Sequence, residues 1–173
     1  MIVWRRLSAA YARALSWLLI GSVAVLLVPV SLQLFSRHTA LIPSYIWTEE
    51  MARFLFVWMV MIGAMLGIRE GSHFEVDIWP VAMSRRRRAL LDLFVGLAVL
   101  VFAVAFLWWG ISFTRFAWNR FSELAELPLW TIHIAWPLAG ASWLLFQGER
   151  IAASLAVLTG ADEPAERAPE VRR

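Results

Sequence analysis

The strongest constraint on this chain is the length of its apolar runs. Crossing ~30 Å of hydrocarbon takes ~20 mostly apolar residues in a helix. Four segments of the 173-residue sequence meet that requirement: residues 15–34, 51–68, 90–113 and 129–146. Pro29 lies in the first, Arg53 near the start of the second, Asp92 near the entrance of the third, and His133 and Pro137 in the fourth. In lipid every backbone N–H and C=O needs a partner inside the protein, which leaves helices and closed barrels. These runs are continuous rather than alternating over ~10 residues, which argues against a barrel. The expected fold is an all-α membrane protein with four transmembrane helices in one integral domain over residues 1–159. Composition agrees, with 61% hydrophobic and 17% charged residues, against ~45–50% and ~25% in soluble domains.

Arginine placement orients the chain. All 16 basic residues are Arg. Twelve fall in the N-terminal arm (Arg5, Arg6, Arg13), the loop between the second and third segments (Arg69, Arg85–Arg88) and the tail (Arg150, Arg167, Arg172, Arg173), against four in the opposite loops (Arg37, Arg53, Arg115, Arg120). Under the positive-inside rule both termini are cytoplasmic. The first apolar stretch exceeds the ~7–15 residues of a signal peptide and no small-x-small site follows it before Arg37, so it is expected to stay as a helix.

The connections carry their own pattern. Leu41, Ile42, Tyr45, Ile46 and Trp47 suit an interfacial segment. Phe113, Phe116, Ala117, Phe121 and Leu124 recur at helical spacing among Arg120, Glu123 and Glu126, which predicts a short amphipathic helix lying flat at the outer surface. Trp79 and Met83, ahead of Arg85–Arg88, suit the same arrangement at the inner surface. Residues 160–173 form a polar tail of Ala, Pro, Glu and Arg, expected to be flexible and cytoplasmic.

Cysteine is absent, which removes disulfides, thiolate metal sites and thiol catalysis. No Gly-rich phosphate loop is present, and no serine has an obvious base. His73 stands among carboxylates but has no second His or Cys near it, and His133 lacks the facing histidine that a bis-His haem needs. No cofactor, no metal and no catalytic residue are expected.

The densest polar pattern brackets the second apolar segment. Thr48 looks like a helix cap. Glu49 and Glu50 precede Arg53 by one turn and would face its guanidinium. Two readings stand side by side: a charge-neutralised helix entrance, or a docking network at the membrane edge. Gly63 and Gly67 share a face that lets another backbone approach. Arg69, Glu70, His73 and Asp77 form a polar exit ahead of the basic run. Spans so nearly free of charge make this chain alone a poor transport pathway.

From Glu49 to Asp77 the sequence resembles the small membrane subunit of tripartite ATP-independent periplasmic (TRAP) transporters. The shared pattern stands here as Glu49, Glu50, Arg53, Trp58, Gly63, Ala64, Arg69, Glu70, Gly71, His73, Val76 and Asp77. Leu127-Pro128-Leu129-Trp130 and Trp136-Pro137-Leu138 also look like that family's fourth span. The resemblance implies a non-catalytic subunit in a bacterial inner membrane. Its partners would be a large permease subunit, a periplasmic solute-binding protein and membrane lipids. It would scaffold ion-coupled, sodium-driven uptake of an organic acid, with Arg115, Arg120, Glu123 and Glu126 as candidates for docking the binding protein. The alternative is a small structural membrane subunit of a different multi-subunit complex.

Overall fold

Backbone hydrogen bonding does not stop where hydrocarbon does, and the first three helices each overrun the apolar run that seeds them. The computed structural model describes residues 2–39, 43, 45–70 and 85–159. They form α1 (Ile2–His38), α2 (Trp47–Glu70), α3 (Arg85–Phe116), the one-turn α4 (Trp130–His133) and α5 (Ala135–Leu158). With 37 and 32 residues, α1 and α3 measure about 55 and 48 Å at 1.5 Å per residue, well beyond ~30 Å of hydrocarbon. The overhangs carry the arginines. Arg5, Arg6 and Arg13 lie on the first turns of α1, and Arg85–Arg88 open α3. Cations at a helix start oppose its dipole, and anionic headgroups would offset such a cost. In α2 the order is favourable, with Glu49 and Glu50 in the first turn and Arg69 in the last.

Among the described residues, α1, α2 and α3 are long and apolar enough to cross a membrane. α5 matches α2 in length, but Gln147, Glu149 and Arg150 interrupt its apolar run. The expected fourth segment, 129–146, folds as α4 and the first half of α5. The break at Ile134 follows from Pro137, which has no N–H to give the carbonyl of His133.

The flat helix expected after the third segment does not form. α3 ends at Phe116, and the chain turns back in a tight loop with an antiparallel bridge between Phe121 and Pro128. Ser122 N–H donates to Leu127 O and Leu129 N–H to Arg120 O, both at 2.9 Å, while Ser122 Oγ accepts from Leu127 N–H at 3.0 Å. Glu126 takes φ 51°, a left-handed geometry that no α-helix tolerates. Apolar spacing was present, but these bonds favour the loop. Trp79, Met83 and the tail from 160 lie outside the described residues, as do Leu41 and Ile42.

α3 packs along α5, α5 against α2, and α2 against α1. The α3–α5 seam is set by small residues. Gly96, Ala103 and Gly110 stand seven apart on α3. A methyl group on Gly140 would lie 2.6 Å from Leu107 N and 2.8 Å from Ala103 O, and one on Gly110 would lie 2.7 Å from Pro137 N. Ala103, Ala135 and Ala139 are completely buried. Beside the seam, Phe106 stacks on Trp136 at 5.2 Å and tilts against Trp143 at 4.7 Å. Met61, Ile62, Met65 and Leu66 bring α2 into the same core.

Because Gly140 meets backbone atoms that cannot move aside, Gly140→Ala is expected to cost ~1–3 kcal/mol, the usual size of overpacking, and to lower the thermal midpoint of helical signal in detergent. Gly148→Ala, where nothing lies within 4 Å, is expected to leave that midpoint unchanged or raise it.

Candidate functional site

The polar residues bracketing α2 separate into two clusters, one at each end of the bundle. At the α2 entrance, Arg53 Nη2 lies 3.6 Å from Glu49 Oε1, with both side chains about two-thirds exposed. Glu50 does not join them. Successive helical residues point about 100° apart, so Glu50 turns inward. It is buried, and its Oε2 accepts the N–H groups of Leu124 at 3.1 Å and Ala125 at 2.6 Å. The expectation that both carboxylates face Arg53 is thereby corrected: one pairs with it, while the other clasps the 117–129 loop through charge-assisted bonds. Thr48 is not the cap either. α2 starts at Trp47, and the buried Thr48 hydroxyl donates to Tyr45 O at 2.6 Å.

Two turns further on, Trp58 Nε1 donates to Thr131 O at 3.0 Å, which ties α2 to α4. His133 serves the same region structurally. Its Nδ1 lies 2.6 Å from Leu129 O, and its ring meets Phe113 edge-on at 4.3 Å. The other loop charges, Glu123 and Glu126, are exposed, as is Arg115 in the last turn of α3. Arg120 is also exposed, and its guanidinium sits 3.9 Å from the centre of the Phe116 ring.

At the opposite end Arg69 joins three helices. Its guanidinium donates to Ser8 O on α1 and lies 5.5 Å from the ring centre of Phe146 on α5. Ser8 Oγ donates to Glu149 Oε2 at 2.9 Å. Ser142 Oγ donates to Leu138 O, so in the 2.7 Å contact between Tyr11 and Ser142 the phenol is the donor. Glu70 is exposed, and Asp92 is exposed on the first turns of α3. His73 and Asp77 lie outside the described residues. The glycine pair of α2 has two environments: Gly67 is buried, whereas a methyl on Gly63 would meet nothing within 4 Å.

Sequence reasoning missed Ser8, Tyr11, Ser142 and Glu149, as well as the seam glycines Gly96, Gly110 and Gly140. The signals were there to weigh. Polar residues inside an apolar helix ask for partners, and the seven-residue spacing of Gly96, Ala103 and Gly110 marks one face of a helix as surely as the Gly63–Gly67 pair does.

The arrangement is that of a small helical membrane subunit whose buried polar groups brace its own helices. Residues 25–157 match the family described as "Tripartite ATP-independent periplasmic transporters, DctQ component", and the chain belongs to this family of TRAP small permease subunits. It is similar to the sialic acid TRAP transporter small permease protein SiaQ of Vibrio cholerae, 29% identical over 146 residues that cover 83% of this chain and 82% of that protein. Similarity to the C4-dicarboxylate TRAP transporter small permease protein DctQ of Rhodobacter capsulatus is 33% over 112 residues, 62% of this chain and 48% of that protein. A third relative, the sialic acid TRAP transporter permease protein SiaT of Haemophilus influenzae, is 34% identical over 79 residues, 46% of this chain but 13% of that protein. The chain is therefore a transporter component rather than an enzyme, and a multi-pass protein of a bacterial inner membrane. A tripartite system implies a large permease and a periplasmic binding protein as its partners.

The two entrance carboxylates have different expected phenotypes. Glu50→Ala should speed hydrogen exchange at Leu124 and Ala125 by freeing the loop. Glu49→Ala should leave exchange there unchanged, since an exposed pair contributes only ~0–1 kcal/mol.

Proposed function

We propose that this subunit is a stationary scaffold for the large permease subunit. The complete system takes up an organic acid, delivered by the binding protein, in symport with sodium. The observation that carries the reading is the family match over residues 25–157. The structure supports it through what it leaves uncovered. Only 6% of the most apolar window of α1 is buried within the chain, and Trp17, Leu18, Ile20, Leu27 and Val28 are all more than half exposed. On α2, Gly63 faces open space beside the exposed Phe56 and Val60. Surfaces of this kind suit a partner helix as well as lipid.

In this reading all four long helices span the bilayer, α4 with α5 forming the fourth crossing, and both termini are cytoplasmic, following the arginine asymmetry. The Glu50-clasped loop is then periplasmic. Of the four charges expected to dock the binding protein, Arg115, Glu123 and Glu126 form the surface offered to it. Glu49, Arg53, Gly63 and Glu70 lie on the permease-facing side of α2, whereas Trp58, Gly67 and Arg69 brace it against its own bundle. Substrate choice lies in the partners. Relatives named for sialic acid and for C4-dicarboxylates, both carboxylates, share this small-subunit sequence.

Co-purification from the native membrane in mild detergent tests the reading, with a large multi-span permease as the expected companion. Gly63→Leu and Arg53→Ala should reduce the recovered complex and sodium-dependent uptake while leaving the thermal midpoint of the isolated subunit unchanged. Crowding at Gly63 is expected to weaken assembly by ~1–2 kcal/mol, the scale of membrane helix contacts. Full recovery of the complex with both variants would remove this face from the interface, and absence of any permease partner would remove the scaffold itself.

A further inference from the structure

We propose that the outward face of α3, at the bundle end that holds Glu50, binds one anionic phospholipid, with an acyl chain in an aromatic groove and the headgroup at Arg120. The groove has a volume of about 600 Å³ and is lined by Phe102, Phe106, Phe113, Phe116 and Trp136, with the small Ala105 leaving room between the rings. Between Phe102 and Phe116 α3 rises about 21 Å at 1.5 Å per residue, somewhat more than one leaflet's share of ~30 Å of hydrocarbon. The length suits a single lipid tail.

Charge identifies the occupant. The Arg120 guanidinium is held 3.9 Å above the ring centre of Phe116, the last aromatic of the groove. No carboxylate among the described residues lies within ion-pair distance of it. A cation fixed over the end of an apolar channel complements a phosphate joined to a hydrocarbon tail. The surrounding aromatics set its depth. Trp118 stacks on Trp130 at 5.5 Å, and Tyr45 and Trp47 sit 6.2 Å apart at the same end. Amphipathic rings gather at the headgroup level of a bilayer, which puts Arg120 beside the phosphates. In this assignment Arg120 serves lipid rather than the binding protein. The proposal does not rest on the transport reading.

Native mass spectrometry of the full chain in mild detergent, incubated with equal amounts of phosphatidylglycerol and phosphatidylethanolamine of matched acyl chains, tests it. One phosphatidylglycerol per chain should be retained in preference to phosphatidylethanolamine. Arg120→Gln should lower that retention about fivefold, the size of one arginine–headgroup attraction. Ala105→Trp, which fills the groove, should lower it as well. Arg37→Gln removes a cation from the last turn of α1 at the same bundle end and should leave retention unchanged. Thermal midpoints report whether each variant folds, and the contrast between Arg120→Gln and Arg37→Gln stands even if Ala105→Trp does not. Equal retention of the two lipids, undiminished retention by Arg120→Gln, or an equal loss with Arg37→Gln would overturn the assignment. So would loss of the lipid when the large permease is co-purified, which would make the groove a protein interface.

Discussion

The close approach of α3 to α5 is the contact on which the remaining structure depends. In a bilayer, apolar surface gives helices little reason to prefer each other over lipid, so association rests on dense van der Waals contact and on hydrogen bonds. Gly110, Gly140 and Ala103 supply the first, by letting main chain meet main chain where any larger residue would hold it away. Once α5 is fixed on α3, it offers Phe146 to Arg69 of α2, and Ser142 and Glu149 to Tyr11 and Ser8 of α1. α5 is the hub, and the polar residues set into its apolar run are the counterpart of that position. Gln147 and Glu149 interrupt an apolar helix because they face protein.

The polar bonds divide the work by height. Glu50 and Trp58 hold α2 to the loop and to α4 at one end, and Arg69 holds it to α1 and α5 at the other. Between them α2 relies on Met61, Met65 and Leu66 packed in the core. Most of these ties end on backbone carbonyls or N–H groups rather than on a second charged side chain. A helix pinned at both ends is a strut. The same economy leaves the outward side of α1 and the open side of Gly63 free for the outside world.

The sequence made much of this legible, for identifiable reasons. Apolar run length found α1, α2 and α3 because hydrocarbon thickness imposes it. Helix ends were misplaced because hydropathy reports lipid contact, whereas hydrogen bonding carries α1 to Ile2 and α3 to Phe116. The partners of Glu50 were invisible, since Leu124 and Ala125 contribute only N–H groups that every non-proline residue has. Apolar spacing from Phe113 to Leu124 suggested a helix, but spacing does not register a clasping carboxylate or the left-handed turn at Glu126. Trp58 was singled out by resemblance alone and Arg69 also as part of a polar helix exit, and each turns out to join α2 to another helix. Gly63 and Gly67 drew attention while Gly110 and Gly140 did not, although the difference lies in which neighbour stands opposite and not in the residues.

The Glu50 clasp also bears on how such a chain is assembled. Leu124 lies 74 residues downstream of Glu50, so at ~5–20 residues per second of synthesis the carboxylate waits about 4–15 s for its partners. Arg69 has no such wait for Ser8, which is already made when α2 is complete. The α1–α2 pair can therefore close first at the Arg69 end and stay open at the other. A charge left waiting in hydrocarbon would hinder insertion; at the first turn of α2 it can remain hydrated until the loop arrives. The position of Glu50 at the helix entrance is thus as much a matter of timing as of geometry.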